Sequence, residues 1–444
     1  MKKLIMLLLC TSAFTTHAQV QVLTLKDAIN YALENKAEAK KAKLEIEKSN
    51  YKIQEVRSLA LPQISANGSL TYNPVLQTNV LDGAMFGQPG QSVQVAFGQK
   101  WTSTAGVTLD QAIFDLTVFT GLKAAKSTRE FYQINNELTE EQVIERVANN
   151  YYSVYVQRER LALLDSNYVN TVKVRDIVKG QFDNGLAKKT DLDRIVVKMS
   201  NIDTERQQVK NQIELQENAL KFYIGMPIEQ QFFIPKEEYE INPELFTEVP
   251  NTENRTEYLL LKKQEELLEF NKTAIQAQLY PTLSLVAGYN YLGQGPEMPW
   301  FAKPDKGVYW SDYSAIGLNM RVPIFTGFGT RAKVRQAESD IKLLQEDIKD
   351  TKLSLDLEYR NAKAQIENNY VTITNQKENM KLAQEIMANT KNNYLQGLAS
   401  LTDLLDAQNA SLEAQNNYTR AILNYKIAEV SLLKSRAQLK TLIK

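Results

Sequence analysis

Residues 182–192 read FDNGLAKKTDL, and residues 394–404 read YLQGLASLTDL. Seven features coincide at an offset of 212 residues: an aromatic residue, then glycine, leucine, alanine, threonine, aspartate and leucine. The glycine of each copy permits the left-handed turn that ends one helix. The threonine and aspartate stand where the next helix needs a cap and negative charge. The stretch therefore predicts a helical hairpin that occurs twice in the chain.

Other landmarks recur in the same order and at nearly the same offset. Residues 61–65 (LPQIS) resemble residues 280–284 (YPTLS), and residues 106–114 resemble residues 317–325. Such a recurrence predicts a tandem duplication. We assign a first structural repeat to residues 19–225, a linker to 226–250 and a second repeat to 251–444, each repeat comprising a helix, two strands and a long helical hairpin.

Between these landmarks, apolar and polar residues alternate strictly. The alternation runs through residues 64–72, 105–109, 283–291 and 316–322, which predicts four strands with one apolar and one polar face. With their flanking residues, the four segments reach about the ten residues that a transmembrane strand needs. Four strands are too few to close a barrel, and lipid does not tolerate open sheet edges. If the strands span a membrane, several chains must share one barrel; the alternative is an ordinary soluble sheet.

The segments between the paired strands are rich in glycine, proline and glutamine. They run over residues 74–100 and 293–312, and they predict loops. Trp101, Trp300 and Trp310 lie in or beside these loops, as tryptophans of an interfacial aromatic girdle do.

Long helices account for most of the remaining chain. About 65 residues at a rise of 1.5 Å precede each glycine turn, on the order of 100 Å if continuous, and residues 190–222 and 402–442 predict returning helices. In the first of these, apolar residues recur at a 3.5-residue period, which is typical of a coiled-coil seam. The predicted fold class is thus mainly α, with very long coiled-coil helices, a transmembrane β part and four strands per chain.

The first residues predict that the chain is exported, and they limit the kinds of catalytic and metal site that the exported chain could have. Residues 1–18 combine Lys2 and Lys3, an apolar run and small residues before Gln19, the layout of a secretory signal peptide. The only cysteine (Cys10) and the only histidine (His17) lie in this segment. An exported chain without them has no thiol or imidazole, which argues against cysteine or histidine catalysis and most zinc or copper sites.

Charge composition argues against nucleic-acid binding. The 52 lysine and arginine residues are balanced by 52 aspartate and glutamate residues, whereas a nucleic-acid binder normally has a basic excess. We expect no cofactor and no metal.

The combined motifs resemble those of the TolC family of outer-membrane efflux proteins over nearly the whole chain. The similarity lies in the opening segment 23–35, the strand entry at 61–64, the strand exit at 323–327 and both Gly-Leu-Ala turns. The resemblance implies a homotrimer in which each chain gives four strands to a shared twelve-stranded barrel in the outer-membrane lipid. It also implies that the long helices form a periplasmic tunnel, whose inner end docks a periplasmic adaptor protein joined to an inner-membrane transporter of RND or ABC type.

The resemblance also assigns roles at the hairpin tips. Gly185, Leu186, Gly397 and Leu398 are expected to form the adaptor-docking tips. Thr190, Asp191 and Tyr394 match positions of the family's closing network. A well-studied relative has an arginine two residues after the second glycine, where this chain has Ala399, so a different contact must hold this tip closed or it opens more easily.

Asp403 and Asp406 are three residues apart and therefore share one helix face. In a trimer this face would make two rings of carboxylates, which favour cations. The resemblance implies that these rings constrict the periplasmic gate; the alternative is a solvated helix face.

Three functions compete on this basis. The first is an outer-membrane exit duct of a tripartite efflux or type I secretion system, without enzymatic activity. The second is a periplasmic coiled-coil scaffold without a pore. The third is a hydrolase that uses only carboxylates, which requires a concave site that the helix-face acids do not suggest.

Overall fold

A computed structural model describes residues 21–87, 89–236, 251–302 and 304–443. Its helices are α1 (Leu25–Asn35), α2 (Ala37–Ser58), α3 (Leu116–Asp183), α4 (Lys189–Ile224), α5 (Thr256–Ala277), α6 (Gly329–Leu395) and α7 (Leu401–Ser435). Its strands are β1 (Gln21–Val22), β2 (Gln63–Tyr72), β3 (Thr78–Asp82), β4 (Ser92–Ala96), β5 (Trp101–Phe114), β6 (Phe232–Phe233), β7 (Thr282–Gly295) and β8 (Tyr309–Arg321). The predicted signal peptide and residues 237–250 of the predicted linker lie outside the described residues.

The chain divides into two compact units. The first comprises Met1–Ile46, Phe131–Lys262 and Glu346–Lys444, and the second comprises Glu47–Glu130 and Lys263–Gln345. No helix among the described residues combines the length and the apolarity needed to cross a membrane.

Two helical hairpins, α3–α4 and α6–α7, dominate the first unit. Five of the seven apolar positions in the predicted seam of α4 are buried, namely Ile195, Ile202, Val209, Ile213 and Leu220, and the other two, Leu192 and Met199, are half-buried. Leu164 of α3 packs on Val209 and Ile213. Ile366 and Ile373 of α6 pack likewise on Ala421 and Tyr425 of α7. The 3.5-residue period read from the sequence is therefore the period of burial.

The main core of the first unit joins the opening segment to the long helices. Thr24 caps α1, with its side chain accepting a hydrogen bond from the Asp27 amide at 3.2 Å. Leu23 is fully buried, and its carbonyl accepts a hydrogen bond from the Tyr151 hydroxyl at 3.2 Å. Residues of α1, α3, α4 and α7 complete this core, so the first unit is held by apolar burial between elements distant in sequence.

The second unit contains the four predicted strands in one antiparallel sheet of order β2-β5-β7-β8. Its register aligns Ile64 with Leu109, Leu109 with Ala287, and Ala287 with Ile316. Partners in register point to the same side of a sheet. One face is consequently apolar, and the opposite face carries hydroxyl and amide side chains. Strands β2 and β8 are both edge strands within a single chain.

One predicted loop is wrong in part. Residues 74–100 contain a hairpin in which β3 pairs with β4, closed by a short 3₁₀ turn at Gly83–Phe86. Residues 92–96 (SVQVA) alternate like a strand, but the glycine, proline and glutamine content of the segment as a whole indicated a loop. The hairpin shows that local alternation outweighed composition here.

Candidate functional site

Both hairpin tips have the same backbone geometry. Gly185 and Gly397 each have φ of 75°. The amide of Leu186 donates to the Gln181 carbonyl at 2.7 Å, and that of Leu398 donates to the Asn393 carbonyl at 2.8 Å. A left-handed glycine followed by such a bond is a Schellman motif, which satisfies the last carbonyls of the helix. The predicted role of the two glycines in ending the helices is thus confirmed.

The leucine after each glycine is exposed. Leu186 is 82% exposed and Leu398 is 74% exposed. Each side chain projects from a turn whose backbone is held by hydrogen bonds, so two apolar groups stand at fixed positions at the hairpin ends.

The helices that follow the turns are not capped by Thr190 and Thr402, the residues that the sequence predicted. Ser400 caps α7: its hydroxyl accepts from the Asp403 amide at 3.1 Å, and Asp403 accepts from the Ser400 amide at 2.9 Å. Thr402 lies inside the first turn and is not the cap. In the first hairpin the cap position is Lys188, whose amide donates to the Asp191 carboxylate at 3.4 Å, while Thr190 is exposed in the first turn. The aspartates hold the predicted position, but the threonines do not cap.

Asp403 and Asp406 are both exposed on α7. Hydrogen bonds from the side chain and backbone of Ser400 hold the pKa of Asp403 below its ordinary value. The Asp403 carboxylate therefore keeps its negative charge while it caps the helix. Whether the two aspartates form rings depends on other chains, and the rings stay a prediction.

Tyr394 links the two hairpins near their tips. Its hydroxyl donates to Gln181 Oε1 of α3 at 3.0 Å, and its ring packs against an apolar cluster that includes Val178 and Leu404. Burial, and then the negative charge of Asp191, raises the pKa of Tyr394. The negative charge of Asp191 therefore acts on Tyr394, and the closing network of Tyr394, Asp191 and Thr190 stays a prediction. Gln181 was missed because a lone glutamine in a long helix carries no sequence signal.

Two basic residues of α4 make contacts to α7 that the sequence did not indicate. Arg194 Nη1 donates to Thr402 Oγ1 at 3.2 Å, and Lys198 donates to Asn409 Oδ1. Burial lowers the pKa of Lys198. These contacts lie near Ala399 in sequence and join the same pair of hairpins as Tyr394.

The second unit carries aromatic residues at one end of its sheet. Trp310 stacks on Tyr291 with centroids 4.8 Å apart and meets Trp300 edge-on at 5.1 Å. Trp300 Nε1 donates to Ser103 Oγ at 2.9 Å. Tyr72 and Trp101, at the same end of the sheet, have centroids 4.6 Å apart. The aromatic side chains thus cluster at one end of the sheet, and the interfacial girdle itself stays a prediction.

The described residues contain no group of three or more histidine, cysteine, aspartate or glutamate side chains that could hold a metal ion.

Comparison with known proteins gives one consistent result. The family model for outer membrane efflux proteins matches residues 28–226 and 265–437. The outer membrane protein TolC of Vibrio cholerae is 21% identical over 444 residues, which cover 97% of this chain and 94% of that protein. Nodulation protein T of Rhizobium leguminosarum is 21% identical over 82% of this chain and 74% of its own length.

Solved structures share the fold. The outer membrane protein VceC of Vibrio cholerae superimposes with a TM-score of 0.73 at 16% identity, covering 93% of this chain and 95% of that chain. The CmeC outer membrane channel of Campylobacter jejuni gives a TM-score of 0.71 at 17% identity, covering 93% and 85%.

The matched residues include the long helices, the four long strands and both Gly-Leu-Ala turns. Members of the matching family are outer-membrane efflux channels that catalyse no reaction, which excludes the hydrolase hypothesis and favours a channel over a scaffold. The chain belongs to the outer membrane efflux protein family.

Proposed function

We propose that this channel is the exit duct of a tripartite efflux or type I secretion system. In this proposal a periplasmic adaptor docks on the hairpin tips, and an inner-membrane transporter of RND or ABC type supplies the energy. Three copies share a twelve-stranded barrel in the outer membrane, and their long helices extend into the periplasm as a tunnel. The two free edge strands of a single chain support this sharing, because unpaired edges are not tolerated in lipid.

The exposure of Leu186 and Leu398 carries the docking proposal. A large apolar side chain at the apex of a hydrogen-bonded turn is exposed to water, which is unfavourable. A partner that covers the side chain therefore gains binding free energy. The same exposed leucine occurs at both tips in the same Schellman geometry. A trimer would present six such leucines, a repeated surface that suits an adaptor with several equivalent contacts.

The gate is proposed to lie just beyond these tips. Rings of Asp403 and Asp406 would narrow the entrance and repel anions. Tyr394 of the same hairpin, and Asp191 and Thr190 of the facing hairpin, would contribute to closure, with Gln181 as the hydrogen-bond acceptor for Tyr394. Ala399 cannot form a salt bridge, so hydrogen bonds from Arg194 and Lys198 of α4 to Thr402 and Asn409 of α7 would hold the two hairpins together in its place.

Photo-crosslinking in living cells tests the docking proposal. A photoreactive amino acid replaces Leu186 or Leu398 in separate variants, with the exposed mid-helix Lys210 as the control position. Captured proteins are identified by mass spectrometry. We expect a periplasmic adaptor at both tips and not at Lys210, and the transporter linked to that adaptor then identifies the transport class.

Two results would oppose the proposal. Equal capture at the tips and at Lys210, with the protein folded in the outer membrane, would remove the support for a docked adaptor. Recovery of the protein from the aqueous fraction without detergent would favour a coiled-coil scaffold without a pore.

A further inference from the structure

The polar face of the four-stranded sheet carries almost no charge. Ser65, Asn67, Thr104 and Ser284 are typical of it, and Ser65 Oγ lies 2.8 Å from Thr108 Oγ1. Arg321, the last residue of β8, is the only basic residue in the four long strands.

Arg321 lies on this polar face. It pairs in register with Thr282, whereas the adjoining row, Leu283 with Met320, belongs to the apolar face. Asp110 is also on the polar face, but it pairs with Val286, four residues along β7 from Thr282. Four residues of a strand span about 13 Å, so Asp110 is too distant to neutralise Arg321.

The guanidinium of Arg321 has no partner in the part of the chain that the structure describes. Across the described residues it donates no hydrogen bond and forms no ion pair. An arginine without a counter-charge on a surface of hydroxyl groups is free to bind a ligand with its planar array of donors.

A cavity of about 480 Å³ lies beside Arg321. Thr117, Thr282, Thr326 and Thr330 line it together with Arg321. Thr330 is only 8% exposed, and its hydroxyl forms no hydrogen bond to any residue that the structure describes. A hydroxyl without a protein partner, on a buried residue that lines a cavity, is a donor available to a ligand.

The remaining charge at the cavity is already engaged. Asp115 also lines it, and Asp115 Oδ1 accepts hydrogen bonds from the Thr117 amide at 2.8 Å and from the Thr117 hydroxyl at 2.6 Å. This carboxylate therefore holds the first turn of α3. The first turn of α6, which includes Thr330, adds the positive end of a helix dipole to the cavity.

We propose that Arg321, with Thr282, Thr326 and Thr330, binds the anionic group of a solute, such as a phosphate, carboxylate or sulfonate. The guanidinium donates two parallel hydrogen bonds to the anion, and the hydroxyls donate to its other oxygens. The site lies on the polar face, away from the apolar face that suits lipid, so the ligand is a solute and not a headgroup. The inference depends on the proposed duct only because the duct would bring the solute to the site. The site itself needs no second chain, because one chain provides Arg321 and the three threonines.

Calorimetric titration of the purified full-length protein with inorganic tripolyphosphate tests the site. Arg321→Gln removes the charge at similar size, Arg321→Lys keeps the charge without the planar donors, and Asp110→Asn is the matched control on the same face. We expect saturable binding to the wild type and to Asp110→Asn, affinity weakened by about fivefold or more in Arg321→Gln, and an intermediate value for Arg321→Lys. Circular dichroism and the oligomeric state establish that each variant is folded.

Equal binding by the wild type and Arg321→Gln, or no saturable binding to the wild type at millimolar tripolyphosphate, would overturn the proposal. A second arm repeats the titration in nanodiscs of phosphatidylcholine, with and without phosphatidylglycerol. Binding lost only when the anionic lipid is present would identify a headgroup, and not a solute, as the ligand. Both arms use purified protein, so they are independent of whether an adaptor is captured at the tips.

Discussion

Ser400 and Asp403 form a reciprocal cap at the start of α7. Ser400→Ala removes the hydroxyl that accepts from the Asp403 amide, and losing such a cap costs about 1 kcal/mol. We expect faster hydrogen exchange in the first turns of α7, beginning at Leu404, whose amide donates to the Ser400 carbonyl at 3.2 Å. Ser400→Asn, which retains an acceptor, is the control and should exchange nearly like the wild type. Unchanged exchange in Ser400→Ala would show that the cap does not stabilise this turn.

The same cap has a defined pH dependence. The pKa of Asp403 is lowered in the folded chain by its hydrogen bonds to Ser400. A carboxyl group whose pKa is lower in the folded chain than in the unfolded chain stabilises the fold at pH values above its unfolded pKa, which is about 3.9 for aspartate. This stabilisation disappears as the pH falls through the lower folded value. Exchange at the start of α7 should therefore be faster in Asp403→Asn at neutral pH, and the difference from the wild type should vanish in strong acid.

The capping residues also show how far sequence reasoning reaches at this scale. The spacing from Ser400 to Asp403 is that of a capping box, so this cap could have been predicted from the sequence. The cap was assigned to Thr402 instead, because a threonine occurs at this position in both repeats. Gln181 and Arg194 could not be predicted, because their partners lie on other helices more than 200 residues away.

At the scale of the element, the two hairpin turns depend on their glycines. An alanine at φ of 75° costs about 1–2 kcal/mol, so Gly185→Ala should loosen the first tip. Gly180 lies within α3, and an added Cβ there would meet nothing within 4 Å. Gly180→Ala should therefore stabilise the helix by up to about 1 kcal/mol. Hydrogen exchange of a peptide covering both positions measures the two effects, and the same sign for both substitutions would contradict the assigned backbone geometry.

Elements with a regular hydrophobic period were predicted correctly, whereas a segment in which short strands lie among glycine and proline residues was not. The buried positions of α4 follow the predicted seam because one stripe of the helix faces one partner. The four long strands match their alternating pattern for the same reason, since each has one apolar face. The β3–β4 hairpin was missed because its strands are five residues each, which is too short for alternation to stand out among glycine and proline.

The link between hairpins at Tyr394 has a measurable consequence for the channel. Tyr394→Phe removes the hydrogen bond to Gln181 and retains the ring that packs against Leu404. Under the proposed gate, this loss should raise the conductance of channels reconstituted in planar bilayers. Tyr418→Phe is the matched control, because Tyr418 is half-buried on α7. A Tyr394→Phe conductance equal to that of the wild type would remove Tyr394 from the closing network.

At the scale of the whole molecule, the sequence of a single chain does not determine how many copies assemble. Both free edges of the sheet belong to the same chain, so the number of chains in the barrel depends on packing between copies, which no period in one sequence encodes. The division into repeats at 19–225 and 251–444 likewise stays a prediction, although α2 to α4 and α5 to α7 enclose their long strands in the same order. The adaptor and transporter stay proposals for the same reason, because their surfaces lie on other chains.

Block by multivalent cations tests the assembled gate. If three chains bring Asp403 and Asp406 together, the rings should bind a trivalent cation such as hexamminecobalt and stop the current. The double variant Asp403→Asn with Asp406→Asn should lose most of this block, whereas Glu413→Gln, an exposed carboxylate farther along α7, should retain it. Block that is equally strong in the double variant would mean that the two aspartates lie on a solvated helix face and form no rings.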